Sequence, residues 1–354
     1  MRGSRILALG LALGLALGLA CGLAATPLLA AGSPAHKATH ASAKKAEAKA
    51  AARDKALLAF QHDLVSVLAP RVDALPLLGA ALLARPLTDQ PEVDSFHVLI
   101  QRAAQASDAG PAVSWAQLSD CDAKADACPN PKALARLAAQ APDNAAVWLL
   151  KLGQDMRNMH KKDAHADLAR AADAKLYDDY AGASLKALAY AVATLPPPAD
   201  TLDPAEGAGP AGVQMMIAFG LAAAQPQPGL RVVAQLCKSE ADDAATKAAC
   251  LKLGKTLEWG SSALARSLGL HLRETLNPDP AQQQDARDAR RDLVWQVQNF
   301  AQLASRARND KAEAQHLLAL ARNGGSQMSL ILAALRDAGI PTEAPADWQP
   351  KAPE

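Results

Sequence analysis

Alanine constrains this chain more than any other feature. Roughly a quarter of its 354 residues are Ala, half are hydrophobic, and only 3% are aromatic. Alanine has the highest helix propensity and a side chain small enough to let backbones approach closely. Runs of alternating Val, Ile, Thr or Tyr, which a sheet would need, are missing. The composition therefore predicts an all-α protein of closely packed helices, long enough for one large core or two modest ones.

The formal charge of +1 is unevenly placed. From His36 to Lys55 six Lys/Arg stand against two Asp/Glu, whereas the body is acidic. A dedicated nucleic-acid partner is not expected, since phosphate neutralisation needs a basic surface. Residues 1–31 read as an export signal: Arg2 and Arg5 precede an uncharged apolar run from Ile6 to Ala25, and Leu28-Leu29-Ala30-Ala31 offers a cleavage site. Left uncleaved, residues 6–25 are long enough to anchor the chain in an inner membrane. Membrane contact is expected only through such a leader or through the basic tail. The Ala/Lys-rich segment 32–55 reads as a disordered basic linker.

Punctuation by Pro, Gly and capping residues divides the rest into an N-terminal helical region (56–196), a Pro/Gly-rich connection (197–212), a C-terminal helical region (213–340) and an extended Pro-rich tail (341–354). One helix is expected from about Pro91 with Asp89 as its cap.

In an exported chain the cysteines read as disulfides. Cys121 and Cys128 flank six small or polar residues and suit a local bridge, which leaves Cys237 and Cys250 for each other. The second pairing carries a geometric condition. If Ser239 capped the following helix, Cys250 would lie ~16 Å along it. Three residues of chain reach only ~10 Å, and a disulfide spans ~6 Å between Cα atoms. The bridge therefore predicts a helix that starts later, near Asp242.

The stretch from Pro142 to Pro196 opens Pro142-Asp143-Asn144, carries Trp148 on a first helix, turns near Lys161-Lys162-Asp163, and places Ala164, Leu168 and Ala171 on a second. This hairpin, about residues 142–175, resembles one unit of the tetratricopeptide repeat. No second copy recurs at the ~34-residue period of that family. The resemblance implies an array of antiparallel helical hairpins, an α-α superhelix stapled by two disulfides, and a role in binding protein or peptide partners. Trp148, Tyr177, Tyr180 and Tyr190 hold four of the dozen aromatics within one segment. Inter-helix packing is their simplest role, and any that face a groove are candidates for contacting a peptide.

Catalytic signatures are missing: no metalloprotease helix, nucleophile elbow, phosphate loop or calcium loop occurs. No cofactor is implied. His160, Asp163, His165 and Asp167 gather around the central turn, but His160 and His165 would stand ~140° apart on one helix, so a solvated turn is favoured over a metal site. Glu258 beside Trp259 could be a carboxyl with a raised pKa against an aromatic. The expectation is an exported, non-catalytic interaction protein of a bacterial envelope, periplasmic or extracellular. A helical enzyme acting on an envelope polymer and a membrane-tethered spacer are the alternatives.

Overall fold

A computed structural model describes residues 35–350 apart from 123–127 and 204, with side chains from residue 44 onward. The proposed leader (1–31) and residues 351–354 lie outside the described residues. No strand occurs among the described residues, and no helix among the described residues is long and apolar enough to cross a membrane.

The helices are α1 (Ala35–Leu68), α2 (Ala74–Ala84), α3 (Phe96–Gln105), α4 (Pro111–Gln117), α5 (Pro131–Gln140), α6 (Ala145–Arg157) and α7 (Lys161–Asp173). They continue as α8 (Ala181–Ala191), α9 (Gly209–Ala222), α10 (Leu230–Ser239), α11 (Ala244–Glu258) and α12 (Ala263–Leu276). The last three are α13 (Pro280–Arg306), α14 (Lys311–Asn323) and α15 (Gln327–Asp337). Seven of the fifteen follow an N-cap side chain that takes up free backbone donors. Asn144, Asp243, Asp279, Asp310 and Ser326 all accept bonds from the first turn of the helix that follows. Ser95, not Asp89, caps α3: its hydroxyl accepts from the Val98 N–H, and Glu92–Asp94 forms only a short 3-10 turn before it.

Two apolar cores share this body. The first lies among α1–α3, α8, α9 and α13–α15. At its centre is α2, apolar on every side, with Leu77, Leu82 and Leu83 at most 1% exposed. The second lies among α5–α7 and α10–α12 and includes Trp115 and Leu118 from α4 and the residue after it. Both α4 and α12 straddle the pair: Val113 and Leu270 belong to the first core, Trp115 and Leu272 to the second. Residues 197–212 join α8 to α9, two helices of the same core. Packing runs between sequence neighbours such as α6 with α7, and also between distant helices: α2 on α8, α7 on α11, α14 on α8 and α9.

The segment expected to be a disordered linker is helical from Ala35 and continuous with the ordered part of α1. Its alanines supply helix propensity that a count of charge and hydrophobicity ignores. Arg53 pins it to the connection: its guanidinium donates to the Thr201 carbonyl (3.1 Å) and to the Asp203 (2.6 Å) and Glu206 (3.4 Å) carboxylates. Residues 341–350 of the Pro-rich tail form no helix; they bend at Thr342-Glu343, turn between Pro345 and Trp348, and lie against α13. Trp295 Nε1 donates to the Pro341 carbonyl (2.8 Å), the Ala344 N–H donates to Asp292 (3.0 Å), and Trp348 meets Trp295 edge to face.

Both disulfides form, Cys121–Cys128 and Cys237–Cys250. The second satisfies its geometric condition: α11 starts at Ala244, capped by Asp243, and the two Cα atoms stand 5.9 Å apart. Cys237 and Cys250 are at most 1% exposed, so the bridge is part of the second core. Constraining the unfolded chain in this way contributes about 3 kcal/mol.

Candidate functional site

The α6–α7 hairpin has two ends of different character. At its base the loop after α7 returns to the start of α6. The Lys175 and Leu176 N–H groups donate to the Asp143 carbonyl (3.0 and 3.2 Å), and the Ala145 N–H donates to the Leu176 carbonyl (2.8 Å). Asn144, 2% exposed, sits inside this closure. Its Oδ1 accepts from the Ala146 (3.1 Å) and Asp178 (2.9 Å) N–H groups, while Nδ2 donates to the Asp178 carbonyl (2.7 Å) and the Tyr180 hydroxyl (3.2 Å).

The four candidate aromatics do not line one groove. Tyr177 is 4% exposed and packs in the second core, where burial pushes its phenol well above the ordinary range. Tyr180 is half-buried, its ring tilted against Trp115 with centroids 5.5 Å apart. Trp148 donates from Nε1 to the Pro142 carbonyl (2.7 Å) and lies beneath the Arg170 guanidinium (5.1 Å) and the Lys151 ammonium (5.9 Å). Tyr190 is 47% exposed on α8, a helix of the other core. For Tyr177 and Tyr180 the packing role is the one observed.

The far end of the hairpin is the α6–α7 turn. Asn158 closes α6, Met159 takes the left-handed conformation (φ 59°), and the His160 N–H donates back to the Asp155 carbonyl (2.8 Å). This reversal brings Asp155, His160 and Asp163 together, with one potential ligand atom from each lying within 4.8 Å of the others. Behind them Asp167, 1% exposed, is paired with Arg170 (2.8 Å) and Lys151 (3.4 Å). Burial pushes the Asp167 carboxyl up, and the charge of Lys151 pulls it down by less. Met159 is 83% exposed in a backbone region that costs an L side chain about 1–2 kcal/mol. Met159→Gly is accordingly expected to raise stability by about 0.5–1 kcal/mol, read as a shifted urea midpoint with an unchanged slope.

Beside the turn, a cavity of about 170 Å³ opens between α7 and α10, lined by Met156, Lys161, His165, Leu236 and Glu240 among others. It falls below the 300–1,000 Å³ usual for organic ligands. His165 Nε2 lies 3.3 Å from the Glu240 carboxylate, while His160 faces Asp155 (3.7 Å), so the two histidines point to different partners.

Other buried or half-buried carboxylates serve packing. Glu258 binds Arg273 Nη1 (2.6 Å), and the same guanidinium reaches Asp285 (2.7 Å). Trp259 is 77% exposed, so it does not form the apolar wall that would tune Glu258. Asp179, 6% exposed, accepts from the Ser261 hydroxyl (3.0 Å).

Sequence reasoning missed two features. Asp155 joins His160 and Asp163 only because the turn folds the last turn of α6 over the first of α7, which a single-helix wheel cannot represent. The other is three exposed apolar side chains near the base of the hairpin: Trp259 (77%) just after α11, Leu264 (61%) in the first turn of α12, and Leu176 (49%) on the α7–α8 loop. The Ser261 N–H to Tyr177 carbonyl bond (3.1 Å) holds loop and turn together. No family model, no characterised protein and no solved structure matches this chain.

Proposed function

We propose that this is an exported, non-catalytic helical protein of a bacterial cell envelope that docks a protein or peptide partner. The observation that carries the reading is the exposed Trp259. An indole with three-quarters of its surface in water, accompanied by Leu264 and Leu176, is the composition of an interface anchor. The buried carboxylates point the same way, being tied up in pairs with Arg170, Arg273 and Ser261. The leader-like residues 1–31 support export, as do two disulfides suited to an oxidising compartment. The α6–α7 hairpin, which resembles a tetratricopeptide unit, supplies the frame on which this end is mounted.

The test places a photo-reactive phenylalanine at position 259, with position 288 on the exposed face of α13 as control. Cross-linking from 259 to one envelope protein in stoichiometric amount, absent from 288, is the expected result. Equal labelling from both positions, or recovery of envelope glycan fragments in place of a protein, overturns the reading and favours an enzyme acting on an envelope polymer.

A further inference from the structure

We propose that the outer face of α13 around Trp295 is a binding surface for a non-helical peptide with the pattern small-Pro-x-x-aromatic, and that the chain's own C-terminal tail occupies it as a resident ligand. Arg291, Asp292, Trp295 and Gln296 share one helix face, since residues four apart lie one above the other. Their hydrogen bonds to the tail all go to its main chain. Trp295 Nε1 donates to the Pro341 carbonyl (2.8 Å), Gln296 Nε2 to the Thr342 carbonyl (2.8 Å) and Arg291 Nη2 to the Ala344 carbonyl (3.5 Å). The Asp292 carboxylate accepts from the Ala344 N–H (3.0 Å). Main-chain bonds of this kind give a peptide-binding surface affinity, while pockets for particular side chains give it specificity.

Two anchors set that specificity. Ala344 is 8% exposed between the exposed Glu343 and Pro345, so the surface takes a small residue there. The turn that follows is closed by the Trp348 N–H to Pro345 carbonyl bond (2.9 Å). It brings the Trp348 ring edge to face onto Trp295, with centroids 5.4 Å apart. The other residues from Pro341 to Pro350 are exposed, and neither anchor belongs to either core, so the tail can leave without unpacking the body. Nor does the tail fill the bonding capacity of the surface. Arg291 Nε is buried with no hydrogen-bond partner among the described residues, and the Nη2 bond is long. A peptide in trans can supply the acceptor that the tail leaves out. Tethered through Ile340, which packs on the first core, the tail meets the surface at an effective concentration on the order of millimolar. It therefore holds off a weak peptide and yields to a tight one. The surface shares no residue with the docking group at Trp259, so each proposal can fail without the other.

The probe is a labelled synthetic peptide of residues 340–350, and the receptor is the full-length chain. In one form the tail is loosened by Ala344→Pro and Trp348→Ala, which remove the N–H given to Asp292 and the ring on Trp295. This loosened chain is expected to bind the peptide about tenfold or more tightly than native protein, because the resident competitor is gone. Adding Trp295→Phe and Gln296→Ala to it removes two donors and should weaken binding by about tenfold or more. The unfolding temperature verifies that each variant folds. In isotopically labelled native chain, saturating peptide should speed amide exchange at Ala344, a readout that needs no substitution. No peptide bound by the folded, loosened chain, equal affinity for native and loosened chains, or unchanged affinity after Trp295→Phe and Gln296→Ala overturns the proposal. So does a native chain that elutes at twice its mass and becomes monomeric on loosening, because the surface would then take the tail of a second copy.

Discussion

Replacing Gly269 with alanine is expected to cost about 3 kcal/mol or more in unfolding free energy, near the upper end of overpacking effects. A Cβ at this position would stand 2.4 Å from the Glu258 nitrogen, 2.6 Å from the Gly254 carbonyl oxygen and 2.8 Å from the Leu257 carbonyl carbon. All three are backbone atoms of the facing helix, so no rotamer change relieves the clash and α11 must move away from α12. That displacement is transmitted to the Cys237–Cys250 bridge and to the Glu258–Arg273 pair, both of which depend on where α11 lies. Gly220 is the contrasting case. It lies in α9 with nothing within 4 Å of an added Cβ, so Gly220→Ala should gain about 0.5–1 kcal/mol from helix propensity alone. Urea unfolding of the two variants checks the pair. A Gly269→Ala protein as stable as the native one would mean that α11 and α12 do not cross on Gly254 and Gly269.

Local punctuation and composition made the helices legible, but not their partners. Where caps, prolines and chain length combine, as at Cys237, Asp243 and Cys250, elementary reach arithmetic placed a helix start and a disulfide together. Alanine obscures the next level. It is compatible with a buried crossing and with a solvated face, so a pattern built on it does not say that α2 packs on α8 or α7 on α11. The same ambiguity made residues 35–55 read as a linker, though α1 continues through them and Arg53 reaches across to Asp203. The aromatics were identified correctly as concentrated in one segment, but their exposure depends on distant residues. Tyr177 is covered through the turn that holds Ser261, whereas Trp259, a few residues before Ser261, is left in water. The acidic and histidine groups at the central turn were visible. Asp155, the residue that completes them, belongs to the preceding helix and arrives only through the reversal at Met159.

Asn144→Ala is expected to destabilise the protein by about 3 kcal/mol, an effect far beyond that of an ordinary helix cap. Losing the cap itself costs about 1 kcal/mol. The rest comes from the four partners of one amide: the N–H groups of Ala146 and Asp178, the Asp178 carbonyl and the Tyr180 hydroxyl. The site is 2% exposed, so water does not replace the missing amide, and each buried group left unpaired costs about 1–3 kcal/mol. The loop 174–180 should therefore loosen first, seen as faster amide exchange at Leu176 and Asp178 than elsewhere in the second core. Asn144→Asp separates shape from hydrogen bonding. It keeps both acceptor bonds, loses both donor bonds, and sets a carboxyl oxygen against the Asp178 carbonyl oxygen. Burial, and the carbonyl oxygen that only a protonated carboxyl can bond, will raise the pKa of the new group above its unfolded value. Protonation then favours the folded state, so the deficit of Asn144→Asp relative to native protein should grow as pH rises through that raised pKa and shrink in acid. Asn144→Ala adds no such group, and its deficit should not follow that trend. If the two variants lose the same stability at every pH, Asn144 acts only as a cap, and the closure of the hairpin rests on the backbone bonds of Asp143, Ala145 and Leu176 alone.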